Sequence, residues 1–252
     1  MPARDLDHAA RHFAEHGWAV VDAVSPATVA RLPAWVDEVA RLPDATGVLQ
    51  HREATDRGPQ LCRSENFVPV HAGLRDLLCS GRVVEVAGAL LGEPAVLYKE
   101  KINYKLPGGA GYSPHQDAPA YPMIECHVST MIAVDDADGH NGGLEVVSGC
   151  FDAVLPTDER GCIAPEVAST LDWQPVDLRA GCTLWFHSRT PHRSRANSSS
   201  RPRRALYPTY NAAREGDRRA EYYARKRAVF ERSEPGDRAQ VSLIGDFEGR
   251  PV

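Results

Sequence analysis

The sequence predicts an antiparallel β sandwich or barrel with helices packed outside it, and three observations carry that expectation. From Ala95 onward, short β-type runs succeed one another between Gly, Pro and Asp punctuation: "AVLYKEKINYKL", "CHVSTMIAVDD", "GLEVVSG", "WQPVDL", "GCTLWFHS" and "RALYPTYN". No helical pattern intervenes among them, which argues against βαβ units and a parallel sheet. Before Ala95 the periodicity is mainly helical, and after the last strand it is helical again.

Taken in order, Asp5 to His16 place Leu6, Ala9, Ala10 and Phe13 at helical spacing, with Gly17 as a C-cap. "WAVVDAV" is a brief strand. "SPATVARLPAWVDEVARL" opens with Ser25 as N-cap and Pro26 at the first helical position, with a kink expected at Pro33. Residues 43–66 read as polar and irregular. "HAGLRDLLCSGRVVEVAGALLG" reads as two short helices broken at Ser80-Gly81 and ended by Gly92. Beyond the strands, "DRRAEYYARKRAVFE" is a late helix. There is no repeat or low-complexity linker, so 1–252 is expected to be one domain. Within it, 1–94 is a mostly helical preface packing on the sheet, 95–212 the β core, and 213–252 a C-terminal helix and tail.

With 42% hydrophobic residues the chain can bury a real core. Its 29 basic and 34 acidic residues give a formal charge of −5, without the basic field that gathers nucleic acid. The first twenty residues are charged throughout, unlike a signal peptide, and no segment approaches ~18 uninterrupted apolar residues. A soluble, cytoplasmic protein with no membrane or nucleic-acid partner is expected; a homo-oligomer is compatible with the sequence. The six cysteines (62, 79, 126, 150, 162, 182) form no close pair, so they read as small hydrophobes rather than a structural zinc site.

One short stretch, "YSPHQDAPAY", sets His115 and Asp117 two positions apart at a strand edge. On an extended backbone such residues point to the same side, so both could reach one ion. The HxD spacing alone arises by chance about once in a chain of this composition. A second pair, His51-Arg52-Glu53, lies in the irregular region and reads as solvated loop. A third ligand would complete a two-histidine, one-carboxylate set with open positions, suited to iron(II). His192, just after Pro191, and His187, on the preceding strand, compete for that role, with His192 better placed at a loop aimed by proline.

HxD, then "NGGLEVVSG", then Gly181 followed by Phe186-His187, His192, Ser194, Asn197, Ser199 and Arg203-Arg204-Ala205, together resemble the phytanoyl-CoA dioxygenase family over roughly residues 95–212. The resemblance implies a double-stranded β-helix (jelly roll, cupin-like) core and an Fe(II)- and 2-oxoglutarate-dependent dioxygenase that consumes O2. It implies His115, Asp117 and His192 as iron ligands. Arg203, 203 − 192 = 11 residues past the distal histidine, becomes the clamp for the far carboxylate of 2-oxoglutarate. A guanidinium suits that role because its planar fork matches a carboxylate and keeps its charge when buried. Ser194, Asn103, Lys101 and Thr130 are further co-substrate candidates. Arg204, one residue on, would face the other way. The sequence departs from the family at Cys150, where a histidine is frequent, and at Gly181-Cys182, where Gly-Asp is frequent; neither is a proposed ligand.

With Asp117 present rather than a small residue, the resemblance implies hydroxylation rather than halogenation. Candidate substrate contacts are Tyr104, Tyr112, Gln116, Tyr121 and His127 near the first ligands, and His187, Arg189, Arg193 and Arg195 near the last. Such a lining suits a small anionic or zwitterionic molecule. "KINYKLPGGAGYSPHQDAPAY", "LYPTYNAAREGD" and "SLIGDFEGR" are similar to the subgroup that hydroxylates aminoalkylphosphonates beside phosphorus; a natural-product tailoring oxygenase is the rival reading. A zinc hydrolase or a non-catalytic ligand-binding β-helix protein would need no arginine clamp.

Overall fold

In the computed structural model, residues 3–234, 237 and 241–252 are described. The N-terminal region holds helices α1 (Ala3–His16), α2 (Pro26–Val29), α3 (Leu32–Ala40), α4 (Ala72–Cys79) and α5 (Gly81–Leu91). The region from 165 onward adds α6 (Pro165–Ala168) and α7 (Arg219–Arg232). Gly17 ends α1 at φ +80, where a Cβ would also run into the Phe151 ring and the Thr190 hydroxyl, so only glycine fits. The expected kink at Pro33 is instead a break between α2 and α3. Pro33 sits at the second position of α3, where its missing N–H costs no helical hydrogen bond.

Thirteen strands are described: β1 (Trp18–Val21), β2 (Leu49–Thr55), β3 (Gly58–Glu65), β4 (Ala95–Lys99), β5 (Lys101–Lys105), β6 (Tyr112–His115), β7 (His127–Ala133), β8 (Leu144–Val147), β9 (Trp173–Pro175), β10 (Thr183–His187), β11 (His192–Ser194), β12 (Arg203–Leu206) and β13 (Thr209–Ala212). The main sheet runs β1-β10-β7-β12-β5-β3-β2, with β13 beside β7 and β4 beside β13; the minor sheet runs β6-β11-β8-β9. All pairings are antiparallel. The molecule is mainly β with flanking helices around a double-stranded β-helix, as the sequence led one to expect.

The main sheet is apolar on both faces, which explains why β7 reads as an unbroken buried run. On its outer face Val128, Ile132, Trp185 and Leu206 meet helical side chains such as Phe13, Val36, Leu74 and Val86. On its inner face Met131, Ala133, Leu184 and Ala205 meet Leu144 and Val146 of the minor sheet. The parity of each strand therefore decides which residues can reach the space between the sheets.

Residues 43–66 correct the expectation of irregular chain: β2 and β3 form a hairpin joined through Gly58 at φ +94, and β3 adds to β5 in the main sheet. His51 and Glu53 are buried on β2, not solvated. The alternation is hidden in the sequence because the buried side of the hairpin is polar, carrying His51, Glu53, Arg63 and Glu65 rather than apolar residues.

Candidate metal centre

Strands β6 and β11 are neighbours in the minor sheet, and their register sets His115 directly opposite His192. The two imidazole rings lie 4.1 Å apart. Asp117 follows as the chain leaves β6, turned by Pro119 into a single helical turn and tied by the Ala118 N–H to the Ser188 carbonyl at 2.8 Å. As a result one ligand atom from each of His115, Asp117 and His192 falls within 4.8 Å of the others, and all three residues are buried.

The backbone also fixes the chemistry of the two rings. His115 Nδ1 is 2.7 Å from the Ser113 carbonyl and His192 Nδ1 is 3.0 Å from the Thr190 carbonyl. A carbonyl only accepts, so each Nδ1 must carry the proton and each Nε2 keeps its lone pair. Burial, reinforced by His115, lowers the His192 pKa to about 4, so this imidazole stays neutral and available as a donor at ordinary pH. Burial alone would raise Asp117, but His192, Lys99, Lys101 and His115 overcome it and hold the carboxyl far below its usual range. Ser129 Oγ donates to Asp117 Oδ2 at 2.6 Å. Two imidazole nitrogens, one carboxylate and an open flank fit a first-row divalent ion such as iron(II).

Around this trio the inner faces of the main-sheet strands complete a small cavity. Lys99, Lys101 and Asn103 line it from β4 and β5, and Ser129, Phe186 and Tyr207 close other sides. Neither Lys99 nor Lys101 forms an ion pair among the described residues; their ammonium groups lie over the rings of Tyr121 and Tyr207 at 4.8 and 5.5 Å. Burial lowers the pKa of both, and Lys99 further depresses Lys101. Arg203 is wholly buried on β12 opposite Lys105; it donates to the Tyr207 hydroxyl at 2.9 Å and the Gly142 carbonyl at 2.8 Å, leaving Nε without a partner. Ser194 lines the same cavity and accepts from Lys105 Nζ at 2.7 Å. Asn103 Oδ1 accepts from Arg63 Nε at 3.0 Å. Arg204 faces outward to Asp135 and Asp37, as its parity requires.

Most other candidates from the sequence are turned elsewhere. Thr130 shares the outer face of β7 with Val128 and Ile132, opposite to Ser129. Tyr104 likewise faces the helices, its hydroxyl meeting Ser64 and the Val36 carbonyl. Gln116 braces the loop beside it, bonded to the backbone of Ala153, Leu155 and Arg189. Arg189 donates to the Asp152 carbonyl, while Arg193 and Arg195 both pair with Glu145. His187 is half-buried beside the rings of Phe13 and Phe151, and its Nδ1 accepts from the Arg189 N–H; it does not join the cluster. Tyr112 lines the cavity, its hydroxyl accepting from Arg63. Tyr121 and His127 pack edge to face at 5.6 Å; His127 shares the inner face of β7 with Ser129, and neither ring nitrogen has a partner.

The cavity also takes charged and hydroxyl groups that the sequence does not single out, among them Ser129, Lys99 and Asp246. Ser129 is one position from Thr130, the right strand with the wrong parity. Lys99 continues the alternation of Lys101, Asn103 and Lys105. Asp246 comes from the C-terminal segment with no spacing to announce it; its carboxylate lies 3.3 Å from His115 Nε2. Burial would raise its pKa, but His115, Arg63 and Lys101 outweigh that and lower it.

Comparison with known proteins gives a consistent picture. Residues 13–205 match the family described as phytanoyl-CoA dioxygenase (PhyH). A methylphosphonate hydroxylase of Gimesia maris is 47% identical over 233 residues, covering 91% of this chain and 90% of that protein. A 2-aminoethylphosphonate dioxygenase from an uncultured bacterium is 36% identical over 228 residues, covering 86% and 87%. Among solved structures, AviO1 from Streptomyces viridochromogenes superposes with a TM-score of 0.68 at 26% identity, covering 84% of this chain and 96% of that one.

Proposed function

The chain belongs to the phytanoyl-CoA dioxygenase family, an enzyme using iron(II), 2-oxoglutarate and dioxygen, and we propose that it hydroxylates a small alkyl- or aminoalkylphosphonate at the carbon beside phosphorus. The net reaction inserts one oxygen atom of O2 into a C–H bond and the other into succinate, with release of CO2. Bound iron supplies the oxygen activation and oxidative decarboxylation that no side chain here can perform.

The residues do the rest. His115, His192 and Asp117 hold the ion, with Ser129 fixing the carboxylate and two backbone carbonyls fixing the rings. Arg203, buried and with a free Nε donor, receives the far carboxylate of 2-oxoglutarate, assisted by Ser194. Phe186 and Leu144 supply apolar lining beside the trio. As one unit, the strands, the helical preface and the C-terminal segment serve a single oxygenase domain.

The observation that carries the substrate reading is buried Lys99 with half-buried Lys101: two ammonium groups without ion pairs, lining the cavity that holds the trio. Buried cations without counter-ions are costly, and an anionic ligand relieves that cost. The relatives acting on methylphosphonate and 2-aminoethylphosphonate support the same reading. Anaerobic addition of Fe(II) and 2-oxoglutarate is expected to give a weak visible charge-transfer band. Succinate release in air should then be stimulated by phosphonates over amino acids and acyl thioesters. An amino acid outperforming every phosphonate would overturn the substrate assignment; no band and no succinate would overturn the oxygenase itself.

A further inference from the structure

Residues 241–252 pair with β6 and β2 beside the site as an added ribbon. The Ser113 N–H donates to the Asp246 carbonyl at 2.7 Å, and the Glu248 N–H to the Gly111 carbonyl at 3.1 Å. Tyr112 and Phe247 pair as an antiparallel bridge, their rings 5.3 Å apart. Farther along, the Ala54 N–H donates to the Arg250 carbonyl at 2.8 Å. This pairing with β6 and β2 fixes Asp246 beside the metal ligands, where it is 2% exposed and lines the cavity.

Its carboxylate is incompletely matched. Oδ2 is 3.3 Å from His115 Nε2, the nitrogen that would hold the ion, and Oδ1 is buried with no hydrogen-bond partner. The nearby guanidinium of Arg63 is already committed to Asn103, Tyr112, Glu65 and the Val241 carbonyl. The Ser242 hydroxyl donates to the carboxylate, but Oδ1 keeps an unfilled acceptor position that a cationic donor in the cavity would satisfy. The same cavity holds Lys99, which lacks a carboxylate partner. One negative and one positive group facing one small cavity are complementary to a zwitterion.

Resting on the phosphonate reading above, we propose that Asp246 is a specificity-determining residue: it accepts hydrogen bonds from the ammonium of an aminoalkylphosphonate whose phosphonate is received by Lys99 and Lys101. A simple alkylphosphonate leaves Asp246 unpaired and beside a like charge. The site therefore selects the zwitterion by penalising the analogue that lacks the ammonium.

The test compares 2-aminoethylphosphonate with propylphosphonate, which replaces the ammonium by a methyl group of similar size, and with methylphosphonate. Wild-type enzyme is expected to favour 2-aminoethylphosphonate over propylphosphonate in kcat/KM. Asp246→Asn is expected to lower that ratio ~100-fold, the loss of a buried charge-assisted hydrogen bond. Anaerobic calorimetry on the iron- and 2-oxoglutarate-loaded protein should show the same selective loss of 2-aminoethylphosphonate binding without turnover. The charge-transfer titration should give an iron affinity within ~3-fold of wild type, because Asp246 is not counted among the ligands. A ratio unchanged by Asp246→Asn, or a wild type indifferent to the ammonium, would overturn the inference while leaving phosphonate hydroxylation in place. Iron affinity lost more than ~10-fold in Asp246→Asn would make it a metal ligand instead. If Asp246→Asn does not fold, Asp246→Glu, which keeps the charge, must retain the preference for the ammonium. A wild type inert toward all three compounds would overturn the parent reading and this one with it.

Discussion

Ser129→Ala removes a single hydroxyl, yet its consequence should register at the metal. Asp117 accepts only, so the Ser129 proton must point to Oδ2 across the 2.6 Å contact; the Thr209 hydroxyl, 2.9 Å from Ser129 Oγ, then donates to Ser129. The result is a directed relay from Thr209 through Ser129 to Asp117, wholly inside the protein. A hydrogen bond to a charged acceptor contributes about 1.5–3 kcal/mol, which converts to a ~10- to 100-fold loss of metal affinity if the carboxylate is no longer held. The assay is anaerobic Fe(II) or Co(II) titration against a competing chelator, with thermal melting to check the fold. Thr209→Val, which breaks only the outer link, should cost less than Ser129→Ala. Metal affinity within ~2-fold of wild type in Ser129→Ala would refute the argument that this hydroxyl orients Asp117.

Arg203→Ala should raise the KM for 2-oxoglutarate ~100-fold, the range for truncating one partner of a buried charged contact, while leaving anaerobic iron affinity near wild type; the reverse pattern in steady-state and titration data would reject the clamp. His192→Ala should abolish metal binding, whereas His187→Ala should retain it and lose ~1–2 kcal/mol of stability from packing between Phe13 and Phe151. Metal titration of both variants decides between the two histidines. Burial lowers His51 and His127 each to about 3. The unfolded chain binds a proton at each near 6.5 and the folded chain does not until near 3. Their neutral burial therefore carries no penalty above ~6.5, and stability falls as pH drops from there toward 3, by up to ~1.4 kcal/mol per pH unit per histidine. Denaturant unfolding at pH 7 and pH 5 should show a smaller acid loss in His51→Gln/His127→Gln than in wild type; an equal loss would contradict the assignment.

What was legible in the sequence followed from periodicity and turn chemistry. The run Cys126–Ala133 is apolar enough to read as a buried strand, and Ser80-Gly81 and Gly92 punctuate the two helices where the structure breaks and ends them. The hairpin at 49–65 was illegible for the opposite reason: its buried side chains are polar and meet distant partners, as where Lys226 of α7 reaches Glu65. Local pattern cannot report a partner 161 residues away. Within the site, the strands supplying polar groups were legible but their parity was not always. Thr130 and Ser129 differ by one residue, and that difference exchanges the helical core for the cavity. Asp246 is the limiting case, since its position depends on where a C-terminal ribbon docks.

The chain also contains its own control for the meaning of HxD. His51 and Glu53 have the same i, i+2 spacing as His115 and Asp117, and both are buried on a strand. Yet Glu53 accepts the Ala110 N–H at 3.1 Å, while His51 stacks edge to face on Phe230 at 5.1 Å, with Glu65 3.8 Å away. The register shift between His51 and Arg52 places Cys62 as an extra residue on β3, while His51 and Glu53 keep the same buried side of β2 and meet different partners. At the metal centre, by contrast, an antiparallel neighbour delivers His192 opposite His115, and the turn at Pro119 lets Asp117 fold back toward both. The spacing of two residues is therefore common property of strands. What distinguishes a metal site is a second strand in register with a third donor, plus carbonyls and a hydroxyl that commit each donor atom to the same point.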